Sequence, residues 1–276
     1  MRRLAMLVLC AAAAVGVAVA QGDDRALREA AQFGNVARAA SLLGAGTNPN
    51  ARGEHGETPL HLAAAGGRIE VVELLLERKA GIEARDENGD TPLHRAAAVG
   101  SPQAVTLLLD RGAKVDSRNS AGETPLYQAA EHRQPDAVRV LLARKADPNA
   151  RTAHGETPLH AAAMSGGELV VTLLLDGKAE VNLVNRGGEA PLFWSTATGT
   201  LRAARVLVAK GAYVDAQDAN GNTALHGAAD GGHVEVVAFL LSAKANRDIK
   251  NRAGETAADL AREREYGEVL KVLEAR

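Results

Sequence analysis

Apolar residues recur along this chain with a helical beat that is itself repeated. Leucine clusters fall at Leu42-Leu43, Leu74 to Leu76, Leu107 to Leu109, Leu141-Leu142, Leu173 to Leu175 and Leu240-Leu241. Val71-Val72 ahead of Leu74 to Leu76 shows the spacing of one buried helix face. A shorter apolar segment precedes each cluster, and glycines at Gly34, Gly67, Gly100, Gly166, Gly199 and Gly232 separate the two. Each unit therefore predicts two short helices, an extended segment such as Ile82 to Arg85, and a turn such as Asp86-Glu87-Asn88-Gly89.

The start of the first helix is marked just as regularly. Thr58-Pro59-Leu60-His61 returns as Thr91-Pro92-Leu93-His94, Thr124-Pro125-Leu126-Tyr127 and Thr157-Pro158-Leu159-His160. It decays to Ala190-Pro191-Leu192-Phe193, Thr223-Ala224-Leu225-His226 and Thr256-Ala257-Ala258-Asp259, always 33 residues on and without an insertion. Threonine suits the N-cap because its hydroxyl can accept from the open N–H groups of the first turn. Proline suits the first helical position, where its missing donor is not needed. Neither helix reaches the roughly 12–15 residues needed for marginal stability alone. Each must bury its leucine and alanine face on its neighbours, which makes a quasi-one-dimensional stack.

The 33-residue period with Thr-Pro-Leu-His-x-Ala, complete at Thr58, Thr91 and Thr157, resembles the ankyrin repeat. The resemblance covers about residues 23–276 and implies an all-α solenoid of helix-turn-helix units with hairpin-like loops. About eight repeats are expected, degenerate caps included: a capping repeat over 21–52, six repeats of 33 residues over 53–250, and a second cap over 251–276. Arg25 to Gly46 lacks the Thr-Pro motif and Glu255 to Arg276 is charge-rich, as outer repeats facing water should be. The resemblance further implies a monomeric array whose first helices and loop tips line a concave, protein-binding groove. One departure is physical. Gly112 and Gly211 follow the second helix where a left-handed residue is usual, whereas Lys79, Lys145, Lys178 and Lys244 stand at the equivalent place.

Residues 1–20 are a different material. Arg2 and Arg3 precede an uncharged apolar run from Leu4 to Ala20, and Ala18-Val19-Ala20 has the small-x-small form of a cleavage site. The expectation is a bacterial signal peptide cut after Ala20, leaving a periplasmic or secreted chain without a membrane span; an uncleaved anchor is the alternative. Leu9 ahead of Cys10 disfavours a lipoprotein. Cys10 is the only cysteine, so the cleaved chain would hold no disulfide. The formal charge of −2, becoming −4 without Arg2 and Arg3, excludes the basic surface that nucleic acid requires.

Binding residues are expected where the repeats differ. The residue after the histidine position reads Leu62, Arg95, Gln128, Ala161, Trp194, Gly227 and Leu260, and such variation is foreign to a packed core. Three positions on, Glu131 and Met164 share the same helix face, with His132 beside Glu131. Trp194, the only tryptophan, is placed in the groove with Gln128 and Met164 as neighbours across the stack; gap-filling in the core is its alternative. Tyr127 and Phe193 are taken as structural replacements of the histidine. At the loop tips Glu87, His154 and Arg186 join an acidic series that includes Asp90, Glu123 and Glu156. That series reads either as charges favoured near helix N-termini or as a ridge for a basic partner.

No catalytic, metal or cofactor motif emerges. His61, His94, His160 and His226 belong to the repeated motif, so their spacing is architectural. No HExxH, Cys-x-x-Cys, Walker or dinucleotide loop occurs, and the acidic turns lack the ligands of a calcium loop. The expected function is non-enzymatic, without cofactor: docking a partner protein in the groove. The narrower versions are an accessory factor or inhibitor of one periplasmic enzyme and a secreted effector binding a host protein.

Overall fold

The computed structural model describes residues 23–275. The leader expected over residues 1–20, with Cys10 and its cleavage site, lies outside the described residues. Within them are sixteen helices and no strand, and no helix is long and apolar enough to cross a membrane.

The chain divides into two compact units between Lys114 and Val115. The first holds α1 (residues 23–33), α2 (Val36–Gly44), α3 (Pro59–Ala65), α4 (Ile69–Glu77), α5 (Pro92–Val99) and α6 (Pro102–Asp110). In it α3 packs on α4 and α5, α5 on α6, and α4 on both α2 and α6. The second unit holds α7 (Pro125–Glu131), α8 (Pro135–Ala143), α9 (Pro158–Ser165), α10 (Glu168–Asp176) and α11 (Pro191–Ala197). It continues with α12 (Leu201–Ala209), α13 (Ala224–Asp230), α14 (Val234–Ser242), α15 (Ala257–Glu263) and α16 (Gly267–Glu274). Here α7, α9, α11, α13 and α15 pack in sequence as one row, and α8 to α16 as a second row behind them. The expected all-α repeat is therefore the fold observed. The segment from Ile82 to Arg85 opens with a turn closed by Ala84 N–H on the Gly81 carbonyl, and only then extends.

All but one of the paired helices deliver a leucine to the interior, α15 burying alanines instead. Leu60, Leu75, Leu93 and Leu108 in the first unit are almost wholly buried, as are Leu126, Leu141, Leu159, Leu174, Leu192 and Leu207 in the second. Full burial of such a side chain contributes about 1.5–3 kcal/mol, more than a helix this short can supply by propensity.

The motif histidines tie these layers together. His61 Nδ1 accepts from the Thr58 N–H at 3.2 Å and from its hydroxyl at 2.8 Å. Its Nε2–H donates to the Asp90 carbonyl at 2.9 Å, one repeat further on. His160 repeats the arrangement with Thr157 and the Glu189 carbonyl, and His226 with Thr223 and the Glu255 carbonyl. Each imidazole thus caps its own helix and holds the following loop, with both nitrogens engaged. In the last pair Asp259 replaces the ring, accepting from the Thr256 N–H and hydroxyl; those bonds hold its carboxyl below the usual range.

The second helices end as the lysine substitution implied. Lys79, Lys145, Lys178 and Lys244 all adopt positive φ, 63–72°, where Gly112 and Gly211 have 93° and 91°. Lys145 N–H donates to the Leu142 carbonyl and Ala146 N–H to that of Leu141, the paired bonds of a left-handed helix stop. Nothing lies within 4 Å of a Cβ built on Gly112 or Gly211, so a side chain fits and only the backbone is strained. The loop tips differ. A Cβ on Gly188, at φ +76°, would sit 2.8 Å from the Ala219 nitrogen of the next loop.

Two substitutions at positive φ should therefore act in opposite directions. Lys145→Gly relieves about 1 kcal/mol of strain and raises the melting temperature by a few degrees. Gly188→Ala adds that strain together with a backbone clash, and lowers it by more. Thermal unfolding followed by circular dichroism checks both, and equal signs would refute the account.

Candidate functional site

Loop tips are built by one repeated device. Asn185 Oδ1 accepts from the backbone N–H groups of Gly187 and Glu189, and its amide donates to Glu189 Oε2 at 2.7 Å. Asn119 with Glu123, and Asn251 with Glu255, do the same, and Thr152 does so with Glu156 through its hydroxyl. Loops then join through single backbone bonds, Arg186 N–H to the His154 carbonyl and Ala219 N–H to that of Gly187. In these four loops the acid ahead of the helix thus closes its own loop, a task that spacing alone did not reveal.

The variable residue after the histidine position reaches back to that acid. Arg95 pairs with Asp86 and stands 3.6 Å from Asp90. Gln128 Nε2 donates to Glu123 Oε2 at 2.7 Å, and Trp194 Nε1 donates to Glu189 Oε2 at 2.8 Å. Asp90, only 7% exposed, lies inside its loop and presents little charge to the surface. Gln128 is turned to Glu123.

Around Trp194 the second unit opens a shallow pocket of about 230 Å³, lined by Met164, Glu189, Phe193, Trp194, Ala197 and Thr198. The indole is half-buried and lies T-shaped against the His160 ring, with centroids 5.7 Å apart. Met164 is 36% exposed. Trp194 thus both packs on His160 and borders the pocket.

The hydroxyls that replace alanine here, Ser195 and Thr196, fold back onto the carbonyls of Leu192 and Phe193 in their own helix and add no free donor. Phe193, expected as a structural replacement of the histidine, is half-buried and forms part of the wall. Its ring lies over Gly227, where a Cβ would come within 3.3 Å of it. Glycine in the following repeat was the available signal. Tyr127, by contrast, is buried at 4% exposure, as expected of a structural residue.

Beside the pocket stands an acidic corner. Tyr127 OH donates to Glu156 Oε2 at 3.4 Å. Burial, then the charge of Glu123, with a further push from Glu156, raises the Glu131 carboxyl above its ordinary value. The His132 ring lies 4.0 Å from Glu131. His154 and Arg186 are exposed at the tips.

In the first unit Glu87 is exposed with its carboxylate 3.5 Å from His55. That unit also carries a wider cleft of about 550 Å³, which the sequence did not foretell, lined by residues that include Arg25, Arg28, Glu29, Glu57 and Arg95. Its charges are of both signs, and Arg25 pairs with Glu29. Among the described residues no three His, Cys, Asp or Glu side chains are grouped to hold a metal.

Because His160 is buried, its pKa falls to about 4, with Arg151 lowering it and the Glu189 bond opposing. His61 is lowered for the same first reason. The unfolded chain therefore binds these protons more tightly than the fold does. Stability is full above about pH 6.5 and is lost as the pH falls toward about 4. His160→Asn should lower the melting temperature near neutrality and flatten its decline with acid, measured by melts across that window.

The family model for ankyrin repeats in three copies matches residues 27–119, 80–152, 100–185, 126–218 and 192–275. No curated protein matches the chain. With repeated Thr-Pro-Leu-His caps, paired short helices, hairpin-like tips and a family match that runs over nearly all the described residues, the chain belongs to the ankyrin-repeat family.

Proposed function

We propose that the chain is a non-enzymatic binding module that docks a partner protein on the front row of its second unit. Ankyrin repeats are generally protein–protein interaction modules. The observation that carries the reading to a particular surface is the pocket at Met164, Phe193, Trp194 and Ala197. Met164, Phe193 and Trp194 are partly exposed where a simple alanine helix would satisfy the scaffold. Aromatic anchors in such pockets dominate interface energetics far more often than their area implies.

The place of action is the periplasm or the exterior of a bacterial cell. This rests on the apolar N-terminal run with its basic start and Ala18-Val19-Ala20 end. The chain acts as a monomer, and its motif histidines serve the scaffold and not a reaction.

Crosslinked pull-down from native periplasm, with wild type and Trp194→Ala compared, tests the proposal. The variant should lose partner capture by roughly tenfold or more, as expected for an interface anchor. Its helical circular dichroism should stay intact. Undiminished capture removes the groove reading, and collapse of the helical signal would make Trp194 a core residue.

A further inference from the structure

We propose that this surface recognises a partner segment in which a basic side chain stands two or three residues from a large apolar one. The inference rests on the groove reading above and names the chemistry of its occupant.

Three positions on successive front helices carry it. Glu131, Met164 and Ala197 occupy the same place on α7, α9 and α11, each 33 residues apart. Met164 and Ala197 border the apolar pocket, so the carboxylate of Glu131 stands one helix to its side. Helices in contact are spaced by about 8–10 Å, and an extended chain advances about 3.3 Å per residue. A segment crossing the helices would therefore place its two anchors about two or three residues apart.

The two halves differ in what they lack. In the pocket, the one strong donor, the Trp194 indole N–H, is already bonded to Glu189. An apolar side chain entering there breaks no hydrogen bond and covers Met164, Phe193 and the indole. In the acidic corner, Glu156 is met by the hydroxyls of Thr152 and Tyr127, which are neutral donors. Glu131 stands 4.0 Å from the His132 ring. A lysine or arginine placed there gains from two carboxylates at once, and favours the charged form of Glu131 that burial, then the charges of Glu123 and Glu156, disfavour. A carboxylate in the partner would add to those charges, which gives discrimination by repulsion as well as by attraction.

The chain's only tryptophan lines the pocket, so its emission reports occupancy directly. Short capped peptides in a glycine–serine background serve as probes: one with Lys and Phe two positions apart, one with Glu for the Lys, and one with Ser for the Phe. The Lys–Phe peptide should shift Trp194 emission saturably, and bind about tenfold more tightly than either control at low salt. The variant E131Q, which leaves the loop-closing Glu156 in place, should reduce the advantage over the Glu peptide severalfold while melting no lower than wild type.

Three results would overturn the proposal: no saturable shift with the Lys–Phe peptide at millimolar concentration, equal binding of the Glu peptide, or equal binding of the Ser peptide. The last would mark a ligand recognised by charge alone. Should the natural partner be captured through Trp194 yet ignore E131Q, the charge pairing falls and the groove reading survives.

Discussion

Helices of seven to nine residues cannot persist in water by themselves, and nearly every other feature of this protein answers to that constraint. A leucine on one helix is buried only because the next pair is present, so stability is shared between neighbours and register between them has to be held closely. His61 and His160 do this with two nitrogens: one fastens the start of the helix, and the other grips the loop of the repeat that follows. The tip loops add a second line of attachment, where glycine lets backbones approach to within hydrogen-bonding distance. Such scaffolding consumes the polar groups that a casual reading would assign to chemistry.

Function then has to come from what the scaffold leaves over. In the second unit, Phe193, Trp194, Ser195 and Thr196 replace the His-x-Ala-Ala of the complete motif. The two hydroxyls are absorbed by their own helix, and Gly227 makes room for the phenyl ring. The net effect is an apolar recess without a loose donor. One helix away the departure is of the opposite kind, with Glu131 set beside two further carboxylates. Adjacent positions with contrasting needs are how a repeated framework, uniform in backbone, acquires a preference.

Much of this was legible from spacing. Paired helices, their caps, the structural role of the histidines and the left-handed lysines all follow from the 33-residue register, because each depends on residues close in sequence. The position of Trp194 on the front row was legible for the same reason. What escaped notice involves side chains reaching across loops or between repeats. Nothing in the pattern shows that Trp194 and Gln128 bend back five residues to a glutamate, that Asp90 is enclosed, or that Phe193 opens outward over a glycine. Those outcomes depend on rotamers chosen jointly by neighbours. The division between Lys114 and Val115 escaped too, since the period runs through it unbroken.

The bond from the Trp194 indole to Glu189 has a bearing on affinity. Glu189 is itself held by Asn185, whose amide oxygen organises the loop backbone. A tryptophan tethered in this way keeps one rotamer before anything arrives, and so surrenders little side-chain entropy on complex formation. Its contribution would then appear chiefly as slow dissociation of a preformed fit, with the indole serving as a fixed wall against which the incoming group is sorted.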